Sequence, residues 1–218
     1  MATFDLILRT GGCLHPTAGD PSEFASEYDG LLTCRSDEGI VTNVGRIHAI
    51  KLHAALAAEH HASLLELCDA HSDELFVLYA LLYEPNGYVF REQIARRFEA
   101  YESDLLILDY VVLHPKWRGL KVGLMAVRKL IDLVGGGCGL VVTDVAPLRT
   151  GAHTQLRVPR SWIPNHTTAA GYRDAAVKIR RYFRKMGFRR LGRTPFYALP
   201  TSLQMPTAAD LLRRPTME

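Results

Sequence analysis

The stretch DLLILDYVVLHPKWRGLKVGLMAVRKLIDLV, residues 104–134, decides the fold of this chain. It opens on Asp104–Leu113, a nearly continuous apolar run that is typical of a strand covered on both faces. The segment 114–119 ends the strand, and apolar residues at three- and four-residue steps then predict an amphipathic helix over Val122–Val134. A run of glycines ends the helix, and a second apolar run follows at Leu140–Val145. Together these signals predict a strand–turn–helix–strand unit.

On both sides of this unit the sequence predicts further elements of an α/β fold. The residues from 62 to about 101 have a helical pattern that is interrupted at 84–87, because proline lacks a backbone donor and Asn-Gly favours a turn. The predicted strands are Phe4–Arg9, Tyr28–Arg35, Ile40–Ala57 (which turns helical after Lys51), Phe188–Leu191 and Thr194–Leu199. The predicted helices outside the central unit lie between 62 and 84, at about Tyr88–Tyr101 and at Thr168–Met186, and the segments Thr10–Pro21 and Gly151–His166 read as loops.

Length and composition indicate one globular domain over residues 1–218. We divide it into an N-terminal part, 1–103, a central part, 104–199, and a tail, 200–218. With 48% hydrophobic and 22% charged residues the chain falls outside the disordered, collagen-like and coiled-coil classes. No apolar run reaches the roughly 20 residues of a membrane helix, and the first residues do not resemble a signal peptide. We therefore expect a cytoplasmic protein without a membrane partner.

The cysteines and histidines do not form a metal-binding pattern. Cys13, Cys34, Cys68 and Cys138 are far apart without a C-x-x-C pair, which is typical of reduced, buried thiols. The histidines include no H-E-x-x-H motif. We expect no metal site, and we interpret Cys138, at the far end of the central helix, as a structural thiol.

The turn that precedes the central helix is the best candidate for a binding site. A helix start presents unpaired backbone N–H groups where the macrodipole is positive, and glycines let a ligand approach the backbone. Arg118 and Lys121 add positive charge. This combination suits a pyrophosphate, although an ordinary tight turn has the same local pattern.

Two motifs carry a resemblance to a known family. The string LDYVVLHPKWRGLKVGLMAVRKLIDL, residues 108–133, resembles the acyl-CoA-binding segment of the GNAT superfamily of N-acetyltransferases. In that segment a strand ending in V-x-P-x-x-R-G leads to (Arg/Gln)-x-x-Gly-x-(Gly/Ala). Tyr182–Phe188, YFRKMGF, resembles the later Y-x-x-x-G-F element of the superfamily. The resemblance spans 104–199 and implies a GNAT-type α/β fold, with a central mixed, mostly antiparallel sheet flanked by helices.

The resemblance also implies a cofactor, acetyl-CoA, and roles for single residues. Main-chain donors for its pyrophosphate would come from Arg118, Gly119, Lys121, Val122, Gly123 and Leu124. The ends of the preceding strand, Val112 and Leu113, would pair through their backbones with the pantetheine arm. An amine held between two diverging strands would then attack the acyl carbonyl, and the tetrahedral intermediate needs a backbone donor and a route for the amine proton.

The chain departs from the family pattern at three points. Lys121 stands where a glycine is expected, and its ammonium group would have to compensate by meeting a phosphate. Phe183 stands where the family often has the tyrosine that protonates the leaving thiolate, and Tyr182, one residue earlier, is the remaining candidate acid or a partly buried aromatic. The helices between 62 and 101 directly precede the central strand, so the acceptor side cannot be inferred by analogy.

Two carboxylates in apolar strands are candidate general bases. Asp109 is the lone acid of its run and Asp144 the acid of the facing strand, and desolvation raises the pKa of a buried carboxyl. Each also fits a structural role as a carboxylate bound to a neighbouring group, and a water relay would need neither. Strict alternation puts Tyr110 on the opposite face of the sheet from Asp109. Glu74 and His71 lie on a helix that either caps the acceptor pocket or faces solvent.

The predicted function is transfer of an acetyl or short acyl group from acetyl-CoA to a primary amine, without an acyl-enzyme. Two alternatives stay open: a catalytically silent GNAT-like domain that binds coenzyme A or a partner protein, and a long-chain N-acyltransferase that uses an acyl carrier protein. Residues 1–48 hold seven acidic and three basic side chains, and 171–218 hold three and eleven. This asymmetry suits a phosphorylated cofactor or an acidic carrier, whereas nucleic acid is disfavoured because stacking aromatics are not interleaved. The sequence leaves the amine acceptor, small molecule or peptide, and a homodimer open.

Overall fold

The computed structural model describes residues 3–11, 23–148, 158–166 and 168–212. In these ranges helices pack on an open sheet with the strand order β1-β2-β3-β4-β5-β7-β6. The strands are β1 Thr3–Arg9, β2 Ala25–Arg35, β3 Val41–Leu52, β4 Asp104–Leu113, β5 Cys138–Asp144, β6 Arg189–Arg190 and β7 Phe196–Pro200. The helices are α1 Ala54–Glu59, α2 Leu64–His71, α3 Asp73–Leu82, α4 Glu92–Phe98, α5 Val122–Val134, α6 Ala169–Arg184 and α7 Ala208–Leu212.

The sheet is mixed and mostly antiparallel, as predicted. Only the central pair, β4 and β5, runs parallel among the described strands, and every other neighbouring pair is antiparallel. Parallel neighbours need a crossover connection, and α5 supplies it. The strand–turn–helix–strand unit read from the sequence therefore forms the middle of the sheet.

Strand β4 separates two cores, because alternate side chains point to opposite faces of the sheet. Leu105 and Ile107 pack with residues of α1–α4 on one face. Leu106 and Leu108 pack with α5 and α6 on the other. All four side chains are at most 2% exposed, and burying each stabilises the fold by roughly 1.5–3 kcal/mol. The continuous apolar character of β4 follows from this double burial.

Two predicted elements differ from the structure, the helix at Tyr88–Tyr101 and the tail. The helix expected at Tyr88–Tyr101 is limited to α4, because Phe90 forms a bridge with Tyr83 and so holds the chain extended before the helix. The change from strand to helix after Lys51 agrees with the prediction, since β3 ends at Leu52 and α1 follows. The tail contains α7, whose Leu211 is buried against the core of α5 and α6. Of the two predicted loops, Thr10–Pro21 falls almost wholly outside the described residues, whereas the described part of the second, 158–166, contains a short 3-10 turn at Arg160–Trp162.

A polar network joins the ends of three strands at the edge far from the central turn. The Ser26 hydroxyl lies 2.8 Å from His53 Nε2, and His53 Nδ1 lies 3.7 Å from Asp104 Oδ2. The other Asp104 oxygen accepts a hydrogen bond from Ala55 N at 3.0 Å. Asp104 therefore links the start of β4 to the first turn of α1.

Among the helices of the described ranges, none has both the length and the apolar character needed to cross a bilayer.

Candidate active site

The central strands part at the carboxyl end of the sheet. The pairing of β4 with β5 runs from Asp104 and Cys138 to Leu108 and Thr143. Beyond Leu108, β4 continues to Leu113 with pairing on its β3 side only. The two strands therefore open into a gap, and the backbone of β4 borders that gap.

A β-bulge stands at the point where the strands part. His48 of β3 pairs with Tyr110 and Ala49 with Leu108, so Asp109 is an extra residue in β4. Bulges redirect side chains, and here the side chains of Asp109 and Tyr110 both contact the imidazole ring of His48. Asp109 Oδ2 lies 2.9 Å from His48 Nδ1, and the Tyr110 ring stacks on His48 at 5.5 Å. The prediction that Tyr110 and Asp109 lie on opposite faces is therefore wrong, because the bulge breaks the alternation.

The gap opens into a cleft of about 440 Å³ between the ends of β4 and β5, the start of α5 and the side of α6. Its walls bring together most of the residues predicted for the site, although these come from four elements. The predicted residues in the cleft wall are Asp109, Val112, Leu113, Arg118, Gly119, Gly123, Asp144 and Tyr182.

Three of the predicted cofactor residues direct their side chains away from the cleft. Leu124 packs in the core of α5 and α6, and Val122 lines a separate hollow against β1 and β2. The Lys121 ammonium group donates to the Leu212 carbonyl oxygen at 2.8 Å, so its side chain joins the turn to the C-terminal helix instead of reaching into the cleft. A role for these residues toward a phosphate would rest on their backbone N–H groups.

The backbone N–H groups of Val122, Gly123 and Leu124 stand at the start of α5. The first N–H to bond within the helix is that of Met125, which donates to the Lys121 carbonyl at 3.2 Å. The N–H groups of Val122, Gly123 and Leu124 precede it, and the first N–H groups of a helix have no intrahelical acceptor. Lys121 itself has φ +62°, a left-handed conformation that glycine adopts at lower cost than lysine.

The alternation of β4 decides which of its backbone groups face the gap. The His114 N–H donates to the Val44 carbonyl at 2.9 Å, toward β3. Because hydrogen-bonded positions alternate in an antiparallel pair, Val112 also faces β3, whereas Val111 and Leu113 face the gap. Backbone pairing with an extended ligand in the gap would therefore use Val111 and Leu113, and not Val112 as the resemblance implies.

Cations flank the mouth of the cleft. Arg118 donates to the carbonyl oxygens of Leu113, at 3.1 Å, and Trp162, which fixes its guanidinium group beside the turn. Lys178 of α6 also lines the cleft, one helical turn before Tyr182. In the sequence Lys178 is one of the eleven basic residues of 171–218, and its four-residue spacing from Tyr182 was the available signal.

Tyr182 reaches the start of α5. Its hydroxyl oxygen lies against the position where a Cβ of residue 123 would stand, while Phe183 is 7% exposed in the core of α5 and α6. Burial raises the pKa of Tyr182 above its ordinary value, which keeps the phenol protonated. Of the two aromatics, Tyr182 is therefore the one that brings a proton donor to the cleft.

Asp144 has a structural role besides its place in the cleft. Its Oδ1 accepts a hydrogen bond from Ala146 N at 2.7 Å, which stabilises the turn after β5. Its other oxygen is not needed for that turn, and the residue still lines the cleft beside Asp109.

A chain of acidic and histidine side chains extends from Asp109 away from α5. His48 Nε2 lies 3.8 Å from Glu27 Oε2, and Glu27 Oε1 lies 3.3 Å from His71 Nε2. Glu74 is on the first turn of α3, and burial, with smaller contributions from the charges of Asp109 and Asp144, raises its pKa. We call Glu27, His48, His71, Glu74 and Asp109 the polar cluster. Glu27 and His48 were missed from the sequence, because β2 and β3 each carry several polar residues and neither side chain stands out as Asp109 does in β4.

The electrostatics of the polar cluster raise the pKa of two of its groups, Glu74 and His48. Burial, followed by the charges of Asp109 and Asp144, raises the pKa of Glu74 to about 7. Burial alone would lower the pKa of His48, but its hydrogen bond to Asp109 and the nearby charges of Asp109, Asp29 and Glu27 outweigh it, so that pKa lies above its ordinary value. The hydrogen bond to Asp109 therefore favours the protonated form of His48.

Metal and thiol chemistry have little support in the described part of the chain. No group of three or more His, Cys, Asp or Glu residues there is placed to hold a metal ion. Cys34, Cys68 and Cys138 are buried and unpaired, and burial raises the pKa of Cys138 to about 11. Cys13 lies outside the described residues.

Comparison with protein-family models, with curated proteins and with solved structures returned no match to this chain.

Proposed function

We propose that the protein is an acyl-CoA-dependent N-acyltransferase of the GNAT type, which transfers an acetyl or other short acyl group to a primary amine. The observation that carries the proposal is the parting of β4 and β5 in front of the start of α5. It supports the resemblance because one cleft offers an extended backbone edge, a helix N-terminus and a proton donor. An acyl-CoA has the complementary groups: an extended arm for the backbone edge, a diphosphate for the helix N-terminus and a thioester whose leaving thiolate needs a proton.

In the proposed reaction the diphosphate binds the N–H groups at the start of α5, with Arg118 and Lys178 adding positive charge. The pantetheine arm pairs with the backbone of Val111 and Leu113. This arrangement directs the thioester toward Asp109. After attack by a neutral amine, the departing thiolate takes a proton from the Tyr182 phenol.

Coenzyme binding tests this assignment by calorimetry. Gly123→Trp puts an indole where the Tyr182 hydroxyl now lies, and we expect the affinity for coenzyme A to fall at least about 100-fold, equivalent to roughly 2.7 kcal/mol. Gly136→Trp, at the other end of α5, is the matched control because a Cβ there meets no atom within 4 Å. Equal affinity in wild type and both variants would show that the turn does not bind the coenzyme.

One observation keeps the carrier-protein alternative in view. Arg180, Arg181, Arg184 and Lys185 surround a hollow on the outer side of α6, and an acidic carrier would complement this charge. Assaying acetyl-CoA beside an acyl carrier protein as donors separates the two. A silent domain would instead bind acetyl-CoA and consume none with any amine.

A further inference from the structure

We propose that two copies of this chain associate through the free edge of β1 and form one continuous sheet, with the two-fold axis at Ile7. The binding surface is the strand TFDLILR, and its partner is the same strand of a second copy, running antiparallel. The inference does not rest on the proposed acyl transfer, because β2 and β3 separate β1 from the cleft strand β4. It follows from the backbone of β1, the faces of its side chains and the signs of its two charges.

The first step is the open edge. Strand β1 pairs with β2 on one side, and it is the last strand at that end of the described sheet. Its other side presents backbone N–H and C=O groups without a partner strand among the described residues, and such an edge is a template for a further strand. The strand has seven residues. At about 3.4 Å per residue they give an edge of roughly 24 Å.

The alternation of hydrogen bonds decides which groups of β1 face this edge. The His53 N–H donates to the Phe24 carbonyl at 2.8 Å, just beyond the end of the β2–β3 pairing. Because hydrogen-bonded positions alternate, even-numbered residues of β2 bond to β3 and odd-numbered ones bond to β1. Ile7 pairs with an odd-numbered residue of β2, so its backbone groups face β2. The backbone groups of Leu6 and Leu8 therefore face the open edge.

The second step is the exposed face of β1. Asp5, Ile7 and Arg9 lie on the same face because side chains alternate along a strand, and all three are exposed. The Ile7 side chain is 47% exposed and stands between the two opposite charges. Arg9 also lies opposite Asp29 of β2, and a guanidinium group has five donors, enough for carboxylates on both sides.

The third step is the register of the two strands. When the two-fold axis passes through Ile7, Leu6 and Leu8 of one copy exchange hydrogen bonds with Leu8 and Leu6 of the other. Ile7 then faces Ile7, and Asp5 faces Arg9 in two symmetric ion pairs. These exposed residues occupy the non-hydrogen-bonded positions, where the side chains of opposite residues are closest together.

The other face of β1 is apolar in the same register. Phe4, Leu6 and Leu8 are partly buried there against the core of α5 and α6. Leu6 of one copy stands opposite Leu8 of the other, so association extends this apolar layer across the axis. Both faces of the paired strands therefore have complementary neighbours.

Other registers lose this complementarity. An axis at Asp5 or at Arg9 places two like charges opposite each other, and an axis at Leu6 or Leu8 places a charged residue opposite Ile7. Charges on an edge strand commonly prevent pairing, but with the axis at Ile7 each charge meets its opposite. The sequence of β1 therefore favours one arrangement of two copies over the shifted ones.

Charge reversal tests the register. Sedimentation velocity over a range of concentrations should show a wild-type dimer. Asp5→Arg and Arg9→Asp each place like charges opposite each other at both ion pairs, and we expect each to raise the dimer Kd at least about 10-fold. An equal mixture of the two variants should form a heterodimer with wild-type affinity, because the arginines of one then face the aspartates of the other. Arg193→Asp, in an exposed turn near the other edge of the sheet, is the matched control and should leave the Kd unchanged.

A cysteine at the axis tests the geometry. In a Cys13→Ser background, a mild oxidant should convert Ile7→Cys into a covalent dimer. Opposite residues at a non-hydrogen-bonded position have Cα atoms about 4.5 Å apart, which is within the range of a disulfide. Asp5→Cys is the matched control, because its two copies would stand roughly 14 Å apart and should not cross-link.

Three results would overturn this inference. They are a wild type that stays monomeric, equal cross-linking of Ile7→Cys and Asp5→Cys, and a mixture of the charge variants that associates no better than either variant alone. None of them bears on the binding of coenzyme A in the cleft, so the acyltransferase proposal would still stand. Conversely, a wild type that dimerises but does not bind coenzyme A would overturn only the acyltransferase proposal.

Discussion

The contact between Gly123 and Tyr182 makes the clearest prediction for the cleft, because the structure gives its geometry atom by atom. A Cβ added at Gly123 would overlap the Tyr182 hydroxyl oxygen. The next atoms, Tyr182 Cζ and Leu113 Cδ1, stand at 3.5 Å, which is ordinary van der Waals contact. Gly123→Ala therefore forces one oxygen atom, or the helix, to move.

The magnitude follows from two opposing effects. Overpacking of this kind costs about 1–3 kcal/mol, while replacing glycine by alanine in a helix gains at most about 1 kcal/mol. Gly123→Ala should therefore lower the free energy of unfolding by roughly 1–2 kcal/mol. Tyr182→Phe removes the overlapping oxygen and should alone change it by less than about 0.5 kcal/mol. In the double variant the overlap is gone and only the helix gain remains.

Urea denaturation of the wild type, the two single variants and the double variant measures the coupling free energy between the two substitutions. The double variant should be about 1–3 kcal/mol more stable than the sum of the two single effects predicts. If the two substitutions were additive to within about 0.5 kcal/mol, the hydroxyl group would not lie at the start of α5. Tyr182 would then lose its assignment as the proton donor of the cleft.

Three further outcomes are expected. Burial raises the pKa of Asp104, but its contact with His53 and a backbone N–H outweigh burial and hold that pKa below its ordinary value. Asp104→Asn should therefore lower the free energy of unfolding by about 1 kcal/mol at pH 7. Measured by urea denaturation, this loss should vanish as the pH falls below about 4, through the pKa of the folded state. The free energy of unfolding of Lys121→Gly should be about 1 kcal/mol higher than that of Lys121→Ala, because both variants lose the same hydrogen bond and only glycine relieves the left-handed backbone. Equal free energies of unfolding would contradict the strain at this position. Gly139→Ala places a methyl group on a backbone carbonyl oxygen and Gly136→Ala places one in open space, so thermal melting should show a loss for the first of about 3 kcal/mol or more and little change for the second.

The central unit was predictable because its signals are local. The bounds of β4 and α5 agree with the apolar run and the helical periodicity, and the glycines after Val134 end the helix where they were expected to. By contrast, α4 is shorter than its periodicity suggests. The residues before it are drawn into a bridge with Tyr83, a tertiary contact that a helical pattern does not reveal.

The polar cluster was only half predictable. Asp109 stood out as an acid in an apolar strand, whereas Glu74 and His71 were left open between capping the acceptor pocket and facing solvent. Glu27 and His48 join them through pairings of β2, β3 and β4 that link positions more than twenty residues apart. Spacing along one chain carries no record of such contacts, so an isolated polar residue in an apolar strand was the strongest signal available.

One inserted residue connects the two halves of the proposed site. Asp109 is the bulge in β4, and pairing with β5 stops at Leu108, the residue before it. Shifting a strand by one residue exchanges its faces, so the bulge alone determines that the backbone of Val111 and Leu113 borders the gap. The same insertion turns Asp109 toward His48. Without the inserted residue, the strand would lose the backbone edge for an extended ligand and also the acid that leads to the polar cluster. The position of the bulge therefore determines more of the site than any single side chain does.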